Sequence, residues 1–151
     1  MRSLEVNWLR RFDRTLIVPQ VVFASQPKMR NGLNCSGLYL HPGKYEYAID
    51  GSFYDGWCGL LVIGTEDPAA IPALIAHEWR HHWQKHRGIK YDGVEWDDPR
   101  AATEVEAWEA ATKRYFSQSR CEYDALQFEM SVAPTDIGDY RMSLVTQREK
   151  L

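Results

Sequence analysis

The stretch His77-Glu78-Trp79-Arg80-His81 constrains this chain more than any other. It fits H-E-x-x-H, a pattern that acquires chemical meaning on a helix. Residues four apart on a helix share a face, so His77 and His81 can offer two imidazole nitrogens to one cation. Glu78 stands about 100° further round. It is therefore offset from the ligand pair and placed to take a proton from a water activated there. The flanking residues support a helix. Ile71, Ile75, Trp79 and Trp83 recur every four residues and form an apolar stripe, with Leu74, His77, His81 and Lys85 on the neighbouring row. The two histidines thus flank a face that should be buried. The helix is expected from about Pro68 to His86 or Arg87, capped by Thr65 or Asp67 and stopped by Gly88.

The residues before this helix read mainly as strands. Ser3 to Leu16 has helical spacing through Leu4, Trp8, Leu9, Phe12 and Leu16, and Pro19 ends it. Gln20 to Ala24 is β-rich. Gly37 to His41 and Tyr45 to Asp50 read as strands, with a hairpin expected through His41-Pro42-Gly43-Lys44. Gly51 to Trp57 reads as a loop rich in glycine and aromatics. Cys58 to Gly64 is the most strand-like run. After the metal helix, Ile89 to Pro99 reads as a loop. A helix is expected over about 99–117 and another from Arg120 to about Met130, where Pro134 is a break. The tail from Thr135 reads as polar and turn-rich, with Tyr140 to Val145 packing back. The fold class implied is α+β: a small, mainly antiparallel N-terminal sheet over about 17–64, an active-site helix over about 68–87, and two further helices.

The 151 residues suffice for one domain with a real core. A net charge of −3, with basic residues scattered among acids, argues against a nucleic-acid partner or an anionic membrane surface. No run reaches membrane-spanning length. Cys35, Cys58 and Cys121 are an odd, widely spaced set, which reads as reduced thiols rather than a disulfide framework. The N-terminal stretch lacks the apolar core of a signal peptide. These features point to a reduced, cytoplasmic setting; a lysis-released or particle-packed (for example phage-associated) protein would look the same.

A catalytic zinc usually takes three protein ligands and leaves one position open. The chain has five histidines, His41, His77, His81, His82 and His86, and none lies beyond position 86. Arg87 and Gln84 stand where a longer motif would place a third histidine and a glycine, which removes the metzincin pattern. His82 reads as solvated or as a support for a ligand, and His86 as a partner of the helix C-terminus. A third ligand from a separate element is then to be sought among the carboxylates, with His82 and His86 as minor alternatives. Glu104, Glu106 and Glu109 lie on the expected 99–117 helix. Measured from Trp108 at the centre of its apolar stripe, Glu104 sits about 40° away, Glu109 about 100° and Glu106 about 160°. Glu106 therefore reads as a surface residue. Glu104 flanks the buried face and is the expected third ligand, with Glu109 its rival.

HEWRH followed by a helix bearing Glu104-Val105-Glu106-Ala107-Trp108 resembles the gluzincin group of zincin metallopeptidases, in their minimal single-domain form. The resemblance spans about residues 58–116. It implies one zinc ion held by His77, His81 and Glu104, with Glu78 as catalytic base, and a peptide or protein as substrate. Trp108 departs from the pattern, because many relatives carry there an aspartate that orients a ligand histidine. Asp97, Asp98 and Glu109 are the candidates to replace it. The resemblance also implies that Cys58 to Gly64, or a strand near it, holds extended substrate by β-augmentation. Tyr115, Tyr123, Tyr140, Arg141 and His41 are the candidates for a second oxyanion donor. Two other classes fit the same motif: a catalytically silent metal-binding protein, and a zinc amidase acting on cell-wall material. For the latter, Phe53-Tyr54-Asp55-Gly56-Trp57 would suit a sugar.

Overall fold

The computed structural model describes residues 4–28, 35–44, 46–64, 67–89 and 119–149. In chain order these form α1 (Leu4–Asn7), β1 (Gln20–Ala24), β2 (Gly37–Leu40), β3 (Glu46–Ile49), β4 (Ser52–Asp55), β5 (Leu60–Gly64), α2 (Ile71–His86), α3 (Arg120–Val132) and α4 (Asp136–Glu149). The class is α+β, as the residue pattern implied.

Every residue of β5 is buried, which explains its unbroken apolar run. It is the middle strand of a sheet ordered β1-β5-β2. β1 runs parallel to it, with Gln20 opposite Leu60, and β2 runs antiparallel, with Gly37 opposite Ile63. A strand flanked on both sides has no edge to offer a peptide. Among the described strands β2 is the edge next to α2, so of the expectation that Cys58–Gly64 or a strand near it receives substrate, the first half is corrected.

The core lies between this sheet and α2. Val21, Leu61 and Ile63 meet Leu74, Ile75, Ala76 and Trp79, while Ile71 and Trp83 pack at the margin. The apolar stripe of α2 is therefore the buried one. Each fully buried aliphatic side chain here contributes roughly 1.5–3 kcal/mol. Asp67 Oδ1 accepts the Ala69 N–H at 3.1 Å, so Asp67 caps the single 3-10 turn that leads into α2. Gly88 ends the helix with φ 64°.

Four expectations differ. The helix over 3–16 stops at Asn7, and i→i−3 bonds follow, Leu9 N to Val6 O and Phe12 N to Leu9 O. Val6, Leu9 and Phe12 are spaced by three, and a 3-10 turn aligns that spacing on one face. Val6 and Leu9 are buried, and the Phe12 ring meets Phe128 edge-on at 5.1 Å. The expected hairpin between Gly37–His41 and Tyr45–Asp50 is absent among the described residues: β2 pairs with β5, and β3 pairs with β4. Gly51–Trp57 is not simply a loop. Asp50 and Gly51 have φ 50° and 81° and form a two-residue turn between the paired Ile49 and Ser52. Finally, the tail is helical. Thr135 Oγ1 accepts the Gly138 N–H at 3.1 Å and caps α4, which packs back through Val145 onto Leu126. No described helix is long and apolar enough to cross a membrane, and the three cysteines are not disulfide-bonded.

Candidate metal centre

α2 and α3 lie side by side, and their contact builds the site. The Trp79 ring stacks on Phe128 at 5.6 Å. Arg80 forks onto Asp124 with bonds of 2.7 and 3.2 Å, and its guanidinium lies 3.9 Å above the Trp83 ring. These contacts fix how the helices face each other along the motif row.

On that row the carboxylate of Glu122 touches both motif imidazoles. Its Oε2 lies 3.0 Å from His77 Nε2 and its Oε1 lies 2.9 Å from His81 Nε2. Both other ring nitrogens are occupied. His77 Nδ1–H donates to Glu129 Oε1 at 3.1 Å, and His81 Nδ1–H donates to Gln84 Oε1 at 2.9 Å. The Gln84 amide is oriented in turn, because its Nε2 donates to Cys121 O and Asp124 Oδ2. With Nδ1 protonated on both rings, Nε2 is the nitrogen that faces Glu122, and on a charged His77 it donates its proton to Glu122 Oε2. Glu78 completes the group, its Oε1 4.0 Å from His77 Nε2. One ligand atom each from His77, Glu78 and His81 lie within 4.8 Å of one another.

This donor set calls for positive charge. Three carboxylates, Glu78, Glu122 and Glu129, converge on two imidazoles in a buried place. Burial opposes charging His77, but hydrogen bonds to Glu122 and Glu129 and the charges of Glu122 and Glu78 outweigh it and raise its pKa to about 10. His81 shifts up against the same burial, through Glu122. Glu122 is held well below the usual carboxylate range: burial pushes up, and the two histidines pull further down. Glu78 is pushed up, chiefly by burial. The His81 Nε2 contact with Glu122 lacks hydrogen-bond direction, and among the described residues both His81 Nε2 and Glu78 Oε2 are buried without a hydrogen-bond partner. The ligand atoms of His77, Glu78 and His81 lie close enough together, with Glu122 against both imidazoles and two buried polar atoms left over, to hold a divalent cation.

Glu104 lies outside the described residues, as do Glu106, Trp108, Glu109, Asp97, Asp98 and Tyr115. The carboxylate found on both imidazoles is Glu122, and the residues that orient the histidines are Glu129 and Gln84. The sequence held a signal for the first pair. Glu122 and Glu129 are seven apart around Ala125 and Leu126, so one helical face carries two acids and two apolar residues.

The remaining histidines are structural. His82 is fully buried, contrary to a solvated role. Its Nε2–H donates to Ile17 O at 2.7 Å, and its Nδ1 accepts from the Tyr39 hydroxyl at 3.1 Å. Burial pushes its pKa down to about 4. His86 Nε2 donates to Cys58 O at 3.0 Å instead of serving the helix end. Of the oxyanion candidates, Tyr123 packs against Leu126 and Val145, and His41 lies against the Tyr39 ring. Tyr140 and Arg141 line a cavity of about 420 Å³ with Ser36, Asp136 and Ile137. The Arg141 charge acts on Glu78.

β2 approaches the site closely. A Cβ on Gly37 would stand 3.2 Å from Val62 O and 3.4 Å from Glu78 Cγ, so the bare backbone at 37 lets the strand start beside Glu78. No protein-family model, curated protein or solved structure matches this chain.

Proposed function

We propose that the chain is a mononuclear zinc hydrolase that cleaves peptide bonds, with His77, His81 and Glu122 as ligands and Glu78 as general base. The observation that carries this reading is Glu122, whose two oxygens reach the Nε2 atoms of both motif histidines. Two histidines and a carboxylate are a zinc donor set with room for a fourth position. When bound, zinc supplies Lewis acidity toward a water and a carbonyl oxygen. The protein does the rest. Glu129 and Gln84 keep the imidazole protons on Nδ1. Glu78, raised by burial, takes a proton from the attacking water and returns it to the leaving amine. The outer edge of β2 beside Glu78 suits an extended chain, which supports a peptide over a compact substrate.

The test is metal analysis of the purified protein with a peptide-cleavage panel on wild type, Glu78→Gln and Glu122→Gln. One zinc per chain is expected in wild type and Glu78→Gln, with cleavage reduced by roughly a hundredfold or more in the latter. Zinc should be lost in Glu122→Gln and kept in Glu104→Ala. Undiminished cleavage in Glu78→Gln, or full zinc in Glu122→Gln, would overturn the assignment.

A further inference from the structure

The centre has a thiol within reach that the proposed chemistry does not use. One ligand atom each from His81, Cys121 and Glu122 lie within 4.8 Å of one another. Ligands on one ion with bonds of 2.0–2.3 Å stand about 3–4 Å apart, so a small side-chain shift brings all three onto one ion. His81 Nε2 lies 2.9 Å from Glu122 Oε1 and is one of two buried polar atoms without a hydrogen-bond partner among the described residues. Two further contacts hold Cys121 in register. Gln84 binds the His81 ring through Oε1 and the Cys121 carbonyl through Nε2 at 3.0 Å, so one amide spaces both residues. Ser119, the N-cap residue of α3, makes no side-chain cap. Its buried hydroxyl lies 3.2 Å from Cys121 Sγ instead. The cap that a serine ordinarily makes is forgone, and the hydroxyl is a group that would stabilise a thiolate.

We propose that Cys121 is a fourth protein ligand of this centre, which gives a His-His-Glu-Cys set for a soft divalent ion. The inference rests on the ligand set of the preceding section. The thiol loses its proton to solvent as the ion binds, and the sulfur lone pair forms the new bond. With Cys121 engaged, the set is closed, and a substrate water must displace the thiolate to enter.

Cobalt(II) reports this directly, since a thiolate ligand produces a near-ultraviolet charge-transfer band and histidine or carboxylate ligands do not. The full chain is stripped of metal, reloaded with cobalt, and compared with Cys121→Ser, Cys121→Ala and Cys35→Ser. Expected is a band in wild type and Cys35→Ser that disappears in both Cys121 variants while cobalt stays bound. Bound cobalt without a band in wild type overturns the proposal and leaves the three-ligand reading intact, as does a band that survives in the Cys121 variants. Failure of the wild type to take up cobalt removes both readings. The wild-type spectrum decides even if the variants fold poorly.

Discussion

Glu129 Oε1 accepts the Nδ1 proton of His77 at 3.1 Å, from a side chain that is only 1% exposed. A carboxylate that deep needs a partner, and this one fixes the tautomer that turns His77 Nε2 toward Glu122. It supplies a histidine-orienting carboxylate, a role expected of Asp97, Asp98 or Glu109, which lie outside the described residues. Glu129→Gln should weaken zinc binding by roughly 10–100-fold with the fold intact. Competition with a chromophoric chelator measures this, and unchanged affinity would remove Glu129 from the site.

Gly138 covers the other face of Glu129. A Cβ there would collide with Met130 Sδ and stand 2.7 Å from Glu129 Oε2. Gly→Ala inside a helix ordinarily stabilises by about 0.5–1 kcal/mol. The Met130 thioether can swing aside, but Glu129 is buried and held by His77, so Gly138→Ala should forfeit that gain and destabilise by about 1 kcal/mol. Urea unfolding decides between the two signs.

Tyr39 donates its hydroxyl to His82 Nδ1, and His82 spends its only proton on Ile17 O. Tyr39→Phe leaves a buried imidazole nitrogen without its donor and should cost about 1–3 kcal/mol. A neutral result in chemical denaturation would show that another donor reaches the ring.

Arg87 forks onto Asp13 with two bonds of 2.7 Å and ties the end of α2 to the N-terminal segment. The Arg87 hydrogen bond is the main reason that the Asp13 pKa falls from 3.8 to about 2. A lowered acid pKa stabilises the fold above the unfolded value and loses that contribution as pH falls through the folded one. Asp13→Asn should therefore lower the Tm slightly at pH 6, and the gap to wild type should close between about pH 4 and pH 2. Arg87 remains 37% exposed, so salt should shrink the gap as well. Thermal melts across pH and ionic strength measure both.

Periodicity made α2 legible before any coordinates. Ile71, Ile75 and Trp79 could be buried together only on a helix, and that helix carries His77, Glu78 and His81 in one invariant relation. The strand at Leu60–Gly64 was equally plain, because five buried apolar residues have little else to be. Local turn chemistry was present but quieter. Asp50-Gly51 encodes the hairpin and Thr135 the cap of α4, yet neither neighbouring run has a strong apolar pattern. Strand order could not be read at all, since β1, β2 and β5 pair across long separations in chain order.

By itself, then, the sequence determined an α+β chain with two imidazoles and a carboxylate on one helical turn. Those groups are covalently close, and helix pitch sets their relation. Which acid meets them was decided by the tertiary structure. Helix phase in isolation ranks Glu104 among its neighbours, but says nothing of which helix docks on α2. The Trp79–Phe128 stack and the Arg80–Asp124 fork seat α3 there, and they bring Glu122, Glu129 and Cys121 to the same histidines.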